Sequence, residues 1–162
     1  LPKNFFGMII AHFGMAVFLA GVTGEHFFKE EFAKQIKINE KFNLGQYEIL
    51  FSKVKNINGP NYISQAGEFN IFVKEKFVKR IISERRFYSV EKSQTTEAGI
   101  FSSILGDIYI VFGDGSNTKG WVIRAYLNPL VTFIWFGVAL MALGGFVSIM
   151  SLYKKKSMKI EN

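Results

Sequence analysis

The residue in this sequence most able to do chemistry is a single imidazole in the middle of an apolar run. His12 is ninth in Asn4–Gly24, 21 residues without a formal charge, whose core reads F-F-G-M-I-I-A-H-F-G-M-A-V-F-L-A-G-V. Imidazole is the commonest protein ligand for metals such as iron and zinc. A ring near the midplane of a bilayer has no water to replace its lost hydrogen bonds, so it must find a partner. Two readings stay open: a ligand to a buried metal, or a donor to a neighbouring helix. Gly7, Ala11 and Gly14 lie close to His12 along the helix, and such small residues leave space for a partner helix or a flat macrocycle. Met8 and Met15 share its face, and a thioether can ligate haem iron. Axial ligands bind opposite faces of a haem, so one helix cannot supply both, and the two methionines read as packing. The other apolar run has no His and only Met141 and Met150, which puts any second ligand outside this sequence.

The remaining polar residues carry weaker signals. His26, beside Glu25, reads as a solvated interfacial histidine. Glu84-Arg85-Arg86 and Arg124 are concentrated charges; Arg can grip carboxylates bidentately, and ion pairs within the fold are the plainer reading. No Ser stands in a nucleophile-elbow context, and Gly144-Gly145 reads as helix packing rather than a phosphate loop. With no cysteine, a disulfide framework, a thiolate metal site, a thiol nucleophile and self-attached c-type haem are excluded.

These residues need elements to hold them. At about 1.5 Å per residue the first run spans roughly 30 Å, the thickness of a bilayer's hydrocarbon core. It is too long for a signal-peptide core and lacks a small-residue cleavage site. Ala125–Tyr153 is a second uncharged run of 29 residues, with its apolar centre at Leu130–Leu152. Lys154, Lys155, Lys156 and Lys159 follow the second run, and Lys3 precedes the first. Basic residues beside helix ends mark the cytoplasmic side, so both termini are expected inside. The expected organisation is a transmembrane helix over 4–24, an extracytoplasmic (periplasmic) β-rich domain over 25–128, a transmembrane helix over 129–153, and a basic cytoplasmic tail over 154–162.

Of the 162 residues 20 are basic and 13 acidic, but the excess is unevenly placed. The tail has four Lys and one Glu, while 25–153 has 15 basic and 12 acidic residues, interspersed. No stripe suits a phosphate backbone, so nucleic acid is not an expected partner. The middle reads as strands. Tyr47, Ile49 and Phe51 alternate with Glu48, Leu50 and Ser52, and Phe69, Ile71 and Val73 alternate with Asn70, Phe72 and Lys74. Ile108–Phe112 and Trp121–Ile123 are short apolar runs. Turn signals stand at Asn58-Gly59-Pro60-Asn61, at Gly67-Glu68 and at Gly113-Asp114-Gly115-Ser116. Five or six short strands in a small antiparallel barrel or sandwich are expected. Glu25–Lys37 is ambiguous, because Phe28, Phe32 and Ile36 recur every four residues. The start at Leu1-Pro2, without Met, suggests a piece of something longer.

Taken in order, these segments resemble one family. G-M-I-I-A-H-F-G-M-A-V-F-L-A-G at Gly7–Gly21 is similar to the penultimate helix of the CcmF family, haem-lyase membrane proteins of cytochrome c maturation (system I). G-P-N-Y at Gly59–Tyr62, E-R-R-F-Y at Glu84–Tyr88, T-T-E-A-G-I at Thr95–Ile100 and D-I-Y-I-V-F-G-D at Asp107–Asp114 follow. W-V-I-R-A-Y-L-N-P-L at Trp121–Leu130 and I-W-F-G-V-A-L-M-A-L-G-G at Ile134–Gly145 complete the series, over about residues 7–153. The family's pattern often has Pro where Ser83 stands. Its tryptophan-rich haem-handling motif and its other haem-binding histidines have no counterpart here, so the resemblance is to its C-terminal quarter.

The resemblance implies that His12 is an axial ligand to a haem b, that is, to the haem iron, in the bacterial inner membrane. It implies transfer of haem from a CcmE-like chaperone to the CxxCH thiols of apocytochrome c, presented by a CcmH-like protein. The fragment alone is expected to be inactive. The competing expectation is a non-enzymatic two-span membrane adaptor whose β domain docks partners, with His12 as a packing residue.

Overall fold

The computed structural model describes residues 3–104 and 106–160. Two units make up the chain: residues 29–128, and the two terminal stretches that flank them in sequence.

The terminal unit is a helix pair. α1 is Lys3–Phe28 and α2 is Val131–Ile160. Phe5–Phe28 and Val131–Ser151 are each long and apolar enough to cross a membrane. α1 continues four residues past Gly24, and the backbone of α2 stays helical into the basic tail. Glycines explain why the helices meet. Gly7, Gly14 and Gly21 recur every seven residues on α1, and Gly137 and Gly144 do so on α2. The two rows face each other antiparallel, with Gly7 at Gly144 and Ser148, Gly14 at Gly137 and Met141, and Gly21 at Ile134. A Cβ on Gly144 would stand 2.4 Å from the Ala11 backbone nitrogen, and one on Gly137 2.5 Å from that of Phe18. Such backbone contact suits a lipid environment, where close dispersion packing rather than water exclusion holds helices together. Gly145, by contrast, has nothing within 4 Å of where its Cβ would lie.

The central unit is a β-sandwich of nine strands among the described residues. They are β1 (Glu30–Ile36), β2 (Lys41–Leu44), β3 (Tyr47–Asn58), β4 (Tyr62–Val73), β5 (Lys76–Tyr88), β6 (Ser93–Glu97), β7 (Gly99–Ser103), β8 (Gly106–Ser116) and β9 (Gly120–Pro129). One sheet has the order β1-β9-β8-β7 and the other β2-β3-β4-β5-β6. The strand pairs with defined register are antiparallel. Alternation fills the space between the sheets. Ile49, Phe51, Phe69, Ile71, Ile108, Ile110, Phe112, Ile123 and Ala125 are fully buried. Phe51 stacks on Phe69 with centroids 5.1 Å apart, and Phe112 on Trp121 at 4.9 Å.

The architecture expected from the sequence, two membrane-type helices around a small antiparallel sandwich, is the one present. Its details differ in four ways. The strands are nine rather than five or six, and β3, β4 and β5 run to 12 or 13 residues. Gly67-Glu68 is not a turn but mid-β4, where a Cβ on Gly67 would come 2.6 Å from the Phe112 ring. Gly113–Ser116 belongs to β8, and the turn lies at 117–119. Glu25–Lys37 divides between the end of α1 and strand β1, because a spacing of four satisfies both periods: Phe32 and Ile36 fall on one face of a strand as readily as on one stripe of a helix.

Candidate functional site

His12 lies about 160° around α1 from Gly14, at about 100° per residue. The glycine seam therefore belongs to α2, and the imidazole stands on the opposite, exposed side of the pair. Of the two occupants the small residues allowed, a partner helix fills the seam and no space for a macrocycle remains there. Met8 and Met15 are 45% and 47% exposed, on the His12 side rather than in the seam. α2 packs on the other side, so neither Met141 nor Met150 comes to His12.

The imidazole itself is held by its own helix. His12 Nδ1 lies 2.8 Å from the Met8 carbonyl oxygen, four residues back. A carbonyl only accepts, so Nδ1 carries the proton and donates, which leaves Nε2 as the ring nitrogen not engaged by the helix. A hydrogen bond from the non-ligating nitrogen is the arrangement that fixes tautomer and ring orientation at metal-binding histidines. An imidazole held in this way would suit a haem iron as one of its protein ligands. Among the described residues no group of three or more His, Cys, Asp or Glu stands together as a metal site. His26 is exposed near the end of α1, edge-on to Phe27 with centroids 5.5 Å apart.

In the sandwich the concentrated charges divide by strand geometry. Adjacent strand residues face opposite sides, so Glu84-Arg85-Arg86 is not one cluster. Arg86 Nε donates to Glu84 Oε2 at 2.9 Å, and its Nη1 lies 3.5 Å from Glu97 Oε1. Its guanidinium lies 4.7 Å from the Tyr62 ring centroid. The Glu84 hydrogen bond, above all, raises the Arg86 pKa beyond its ordinary value. Arg85, on the other face, pairs with Asp114 of β8 and donates from Nη2 to Gln65 Oε1 at 3.0 Å. Arg85 and Arg86 both border one cavity of about 650 Å³, with Asn56, Asn58, Gln65 and Gln94 among its other lining residues. Arg124 borders a smaller one of about 260 Å³ with Val111, Gly113, Asp114 and Val122, and has no ion-pair or hydrogen-bond partner among the described residues.

Two polar centres have no counterpart in the sequence reading. Glu68 is 5% exposed and faces Arg80 at 3.0 Å, Lys53 at 3.4 Å and Lys55 at 3.7 Å. Ser83, fully buried in β5, accepts from the Phe112 backbone N–H at 3.0 Å and donates to the Glu97 carbonyl at 2.8 Å. It joins the two sheets. The alternation of β5 is the one signal that places Ser83 inward; the partners come from distant strands.

Comparisons with known proteins agree with this architecture. Residues 27–129 match the family model described as CcmF C-terminal beta-sandwich. The chain is 33% identical over 145 residues to the cytochrome c-type biogenesis protein CcmF of Pseudomonas aeruginosa, covering 90% of the chain and 22% of that relative. It is 34% identical over 149 residues to the cytochrome c-type biogenesis protein CycK of Rhizobium meliloti, covering 92% and 22%. A solved structure, that of the cytochrome c heme lyase CcmF, superposes with a TM-score of 0.70 at 15% identity, over 90% of the chain and 24% of that protein. The chain thus spans under a quarter of the length of these proteins. With the sandwich matched from end to end and two apolar helices bracketing it in sequence, the chain is a membrane protein segment that belongs to the CcmF C-terminal β-sandwich family.

Proposed function

We propose that this chain is the C-terminal part of a haem-lyase subunit of cytochrome c maturation, and that His12 is an axial ligand to a haem b within the membrane. The observation that carries the reading is the hydrogen bond from His12 Nδ1 to the Met8 carbonyl, which leaves Nε2 free on an exposed helix face. A ring meant only to bridge two helices of this chain would point into the seam with α2; this one points away from it. Haem bound there would supply a redox-active iron. The second axial ligand and the other wall of the pocket come from helices outside this segment. In this reading the complete subunit moves haem from a CcmE-like chaperone to the CxxCH thiols of an apocytochrome c held by a CcmH-like partner. Residues 25–128 face the periplasm, and both termini lie on the cytoplasmic side of the bacterial inner membrane.

The test is the reduced-minus-oxidised spectrum of the purified full-length protein. His12→Ala removes the imidazole from that face and should abolish or sharply weaken the b-type bands, with recovery on adding imidazole. Met8→Leu and Met15→Leu should leave the bands in place. An unchanged spectrum in His12→Ala would remove His12 from the site and favour the two-span adaptor.

A further inference from the structure

The inner face of the β2-β3-β4-β5-β6 sheet changes character along its length. Phe69 of β4 and Ile81 and Ser83 of β5 are buried on it, and the Phe112 ring of β8 packs on Gly67. Cross-strand partners share a face, and so do residues two apart on one strand. Asn56, Gln65 and Arg85 therefore form the next row on that face, and Asn58, Ile63, Phe87 and Gln94 the row after it. Burial ends there: Ile63 is 53% exposed and Phe87 46%. The two rows line the cavity of about 650 Å³, a volume typical of ligand pockets.

No acidic residue lines this cavity among the described residues. Of its two arginines, Arg86 is already balanced by Glu84 and Glu97. Arg85 has Nη2 on Gln65 and its charge on Asp114. That pair is lopsided, because the Arg85 side chain is 21% exposed and that of Asp114 86%. A largely buried guanidinium is thus balanced by a carboxylate that water already solvates. An incoming carboxylate can take the place of Asp114 without leaving a buried charge unpaired. The carboxamides of Asn56, Asn58 and Gln94 make no hydrogen bond among the described residues. Each offers a donor and an acceptor side by side, the complement of a peptide group.

We propose that these two rows bind an extended peptide segment of a partner protein, one of whose acidic side chains replaces Asp114 on Arg85. Residues two apart on β3, such as Asn56 and Asn58, are separated by about 6.6 Å, which is also the repeat of same-side groups in an extended chain. The carboxamides can therefore meet peptide groups in step, while Ile63 and Phe87 receive an apolar side chain two residues from the acid. A phosphate dianion is a poorer fit, since Arg86 is committed to Glu84 and Glu97 and only Arg85 can change partner. The inference concerns the sandwich by itself and is independent of haem.

The test is calorimetric titration of the purified full-length protein in detergent micelles with three probes: acetyl-Leu-Ala-Glu-Ala-Leu-amide, its Gln counterpart, and butyrate. The Glu peptide should bind about tenfold more tightly than the Gln peptide, the gain expected of a charge-assisted pair. Arg85→Gln should erase that difference. Asp114→Asn removes the internal competitor, so it should tighten the Glu peptide severalfold and leave the Gln peptide unchanged. A folding defect would not produce such a gain. Equal affinities for the two peptides, or no binding of either, would overturn the proposal. So would an Asp114→Asn variant that fails to tighten the Glu peptide. Butyrate binding as tightly as the Glu peptide would mean a small-carboxylate site, and would overturn the peptide assignment.

Discussion

Gly7 and Gly144 close the helix pair reciprocally: a Cβ on either would come within 2.6 Å of the other's carbonyl oxygen. This contact leaves the side with His12 as the one free to receive something else. Gly144 and Gly145 are neighbours in sequence but differ in kind, since only Gly144 is in the seam. Gly144→Leu should cost about 1–3 kcal/mol through overpacking and separate the helices. Gly145→Ala should be neutral or stabilising by up to about 1 kcal/mol, because Ala is the better helix former. Denaturation of the full chain in mixed micelles of rising dodecyl sulfate content, followed by Trp135 fluorescence, separates the two. Equal midpoints for both variants would contradict the seam.

Ser83→Ala should destabilise the sandwich by about 1–3 kcal/mol, since it strands the buried Phe112 N–H. Ser89→Ala, on an exposed turn, should change stability by less than about 0.5 kcal/mol. Thermal unfolding monitored by near-ultraviolet dichroism reads the difference. Coincident melts would mean that the inter-sheet hydrogen bond contributes nothing net.

The helices and the class of the central unit were legible because each rests on a local pattern. An uncharged run of 21 residues and the alternation at Tyr47–Phe51 need no knowledge of distant partners. What failed was what depends on the opposite sheet. Gly67 resembles a turn glycine until the Phe112 ring is seen against it. Phe32 and Ile36 fit two periods at once, and only pairing with Ala125 and Trp121 decides for a strand. For His12 the sequence supplied the imidazole and its place ninth in an uncharged run. The face it occupies and its tautomer come from where α2 packs and from the Met8 carbonyl.

Glu68 holds three cations with one carboxylate, so its loss should be felt more than that of any single cation. Glu68→Gln should destabilise by about 1–3 kcal/mol, because it leaves Arg80, Lys53 and Lys55 close together without a counter-charge. The lower part of that range is expected, because the three cations are each about half exposed and solvent screens them. Lys55→Met should cost less than about 1 kcal/mol. Moderate salt should recover part of the Glu68→Gln loss and little of any loss in Ser83→Ala. Urea titrations of each variant at two ionic strengths provide the comparison, and a salt-independent Glu68→Gln defect would assign its effect to packing instead.

The side of the membrane on which the sandwich lies follows from charge rather than from the fold. Lys154, Lys155 and Lys156 follow the apolar part of α2 directly, and Lys3 precedes that of α1. Lysines flanking a span resist translocation, so both clusters should stay in the cytoplasm and the sandwich should be outside. These 162 residues contain no cysteine, so the labels meet no competing native thiol within them, and any cysteine elsewhere in the protein is replaced by Ser first. Asn117→Cys places a thiol on the exposed β8–β9 turn, at the end away from the helix junctions. Lys159→Cys places one in the basic tail. An impermeant maleimide applied to spheroplasts that express the full-length protein should label Asn117→Cys at once, and Lys159→Cys only after lysis. Replacing Lys154, Lys155 and Lys156 with Gln should weaken that asymmetry, since the bias comes from those charges. The reverse pattern, with Lys159→Cys labelled in intact spheroplasts and Asn117→Cys protected, would invert the topology and place the sandwich in the cytoplasm.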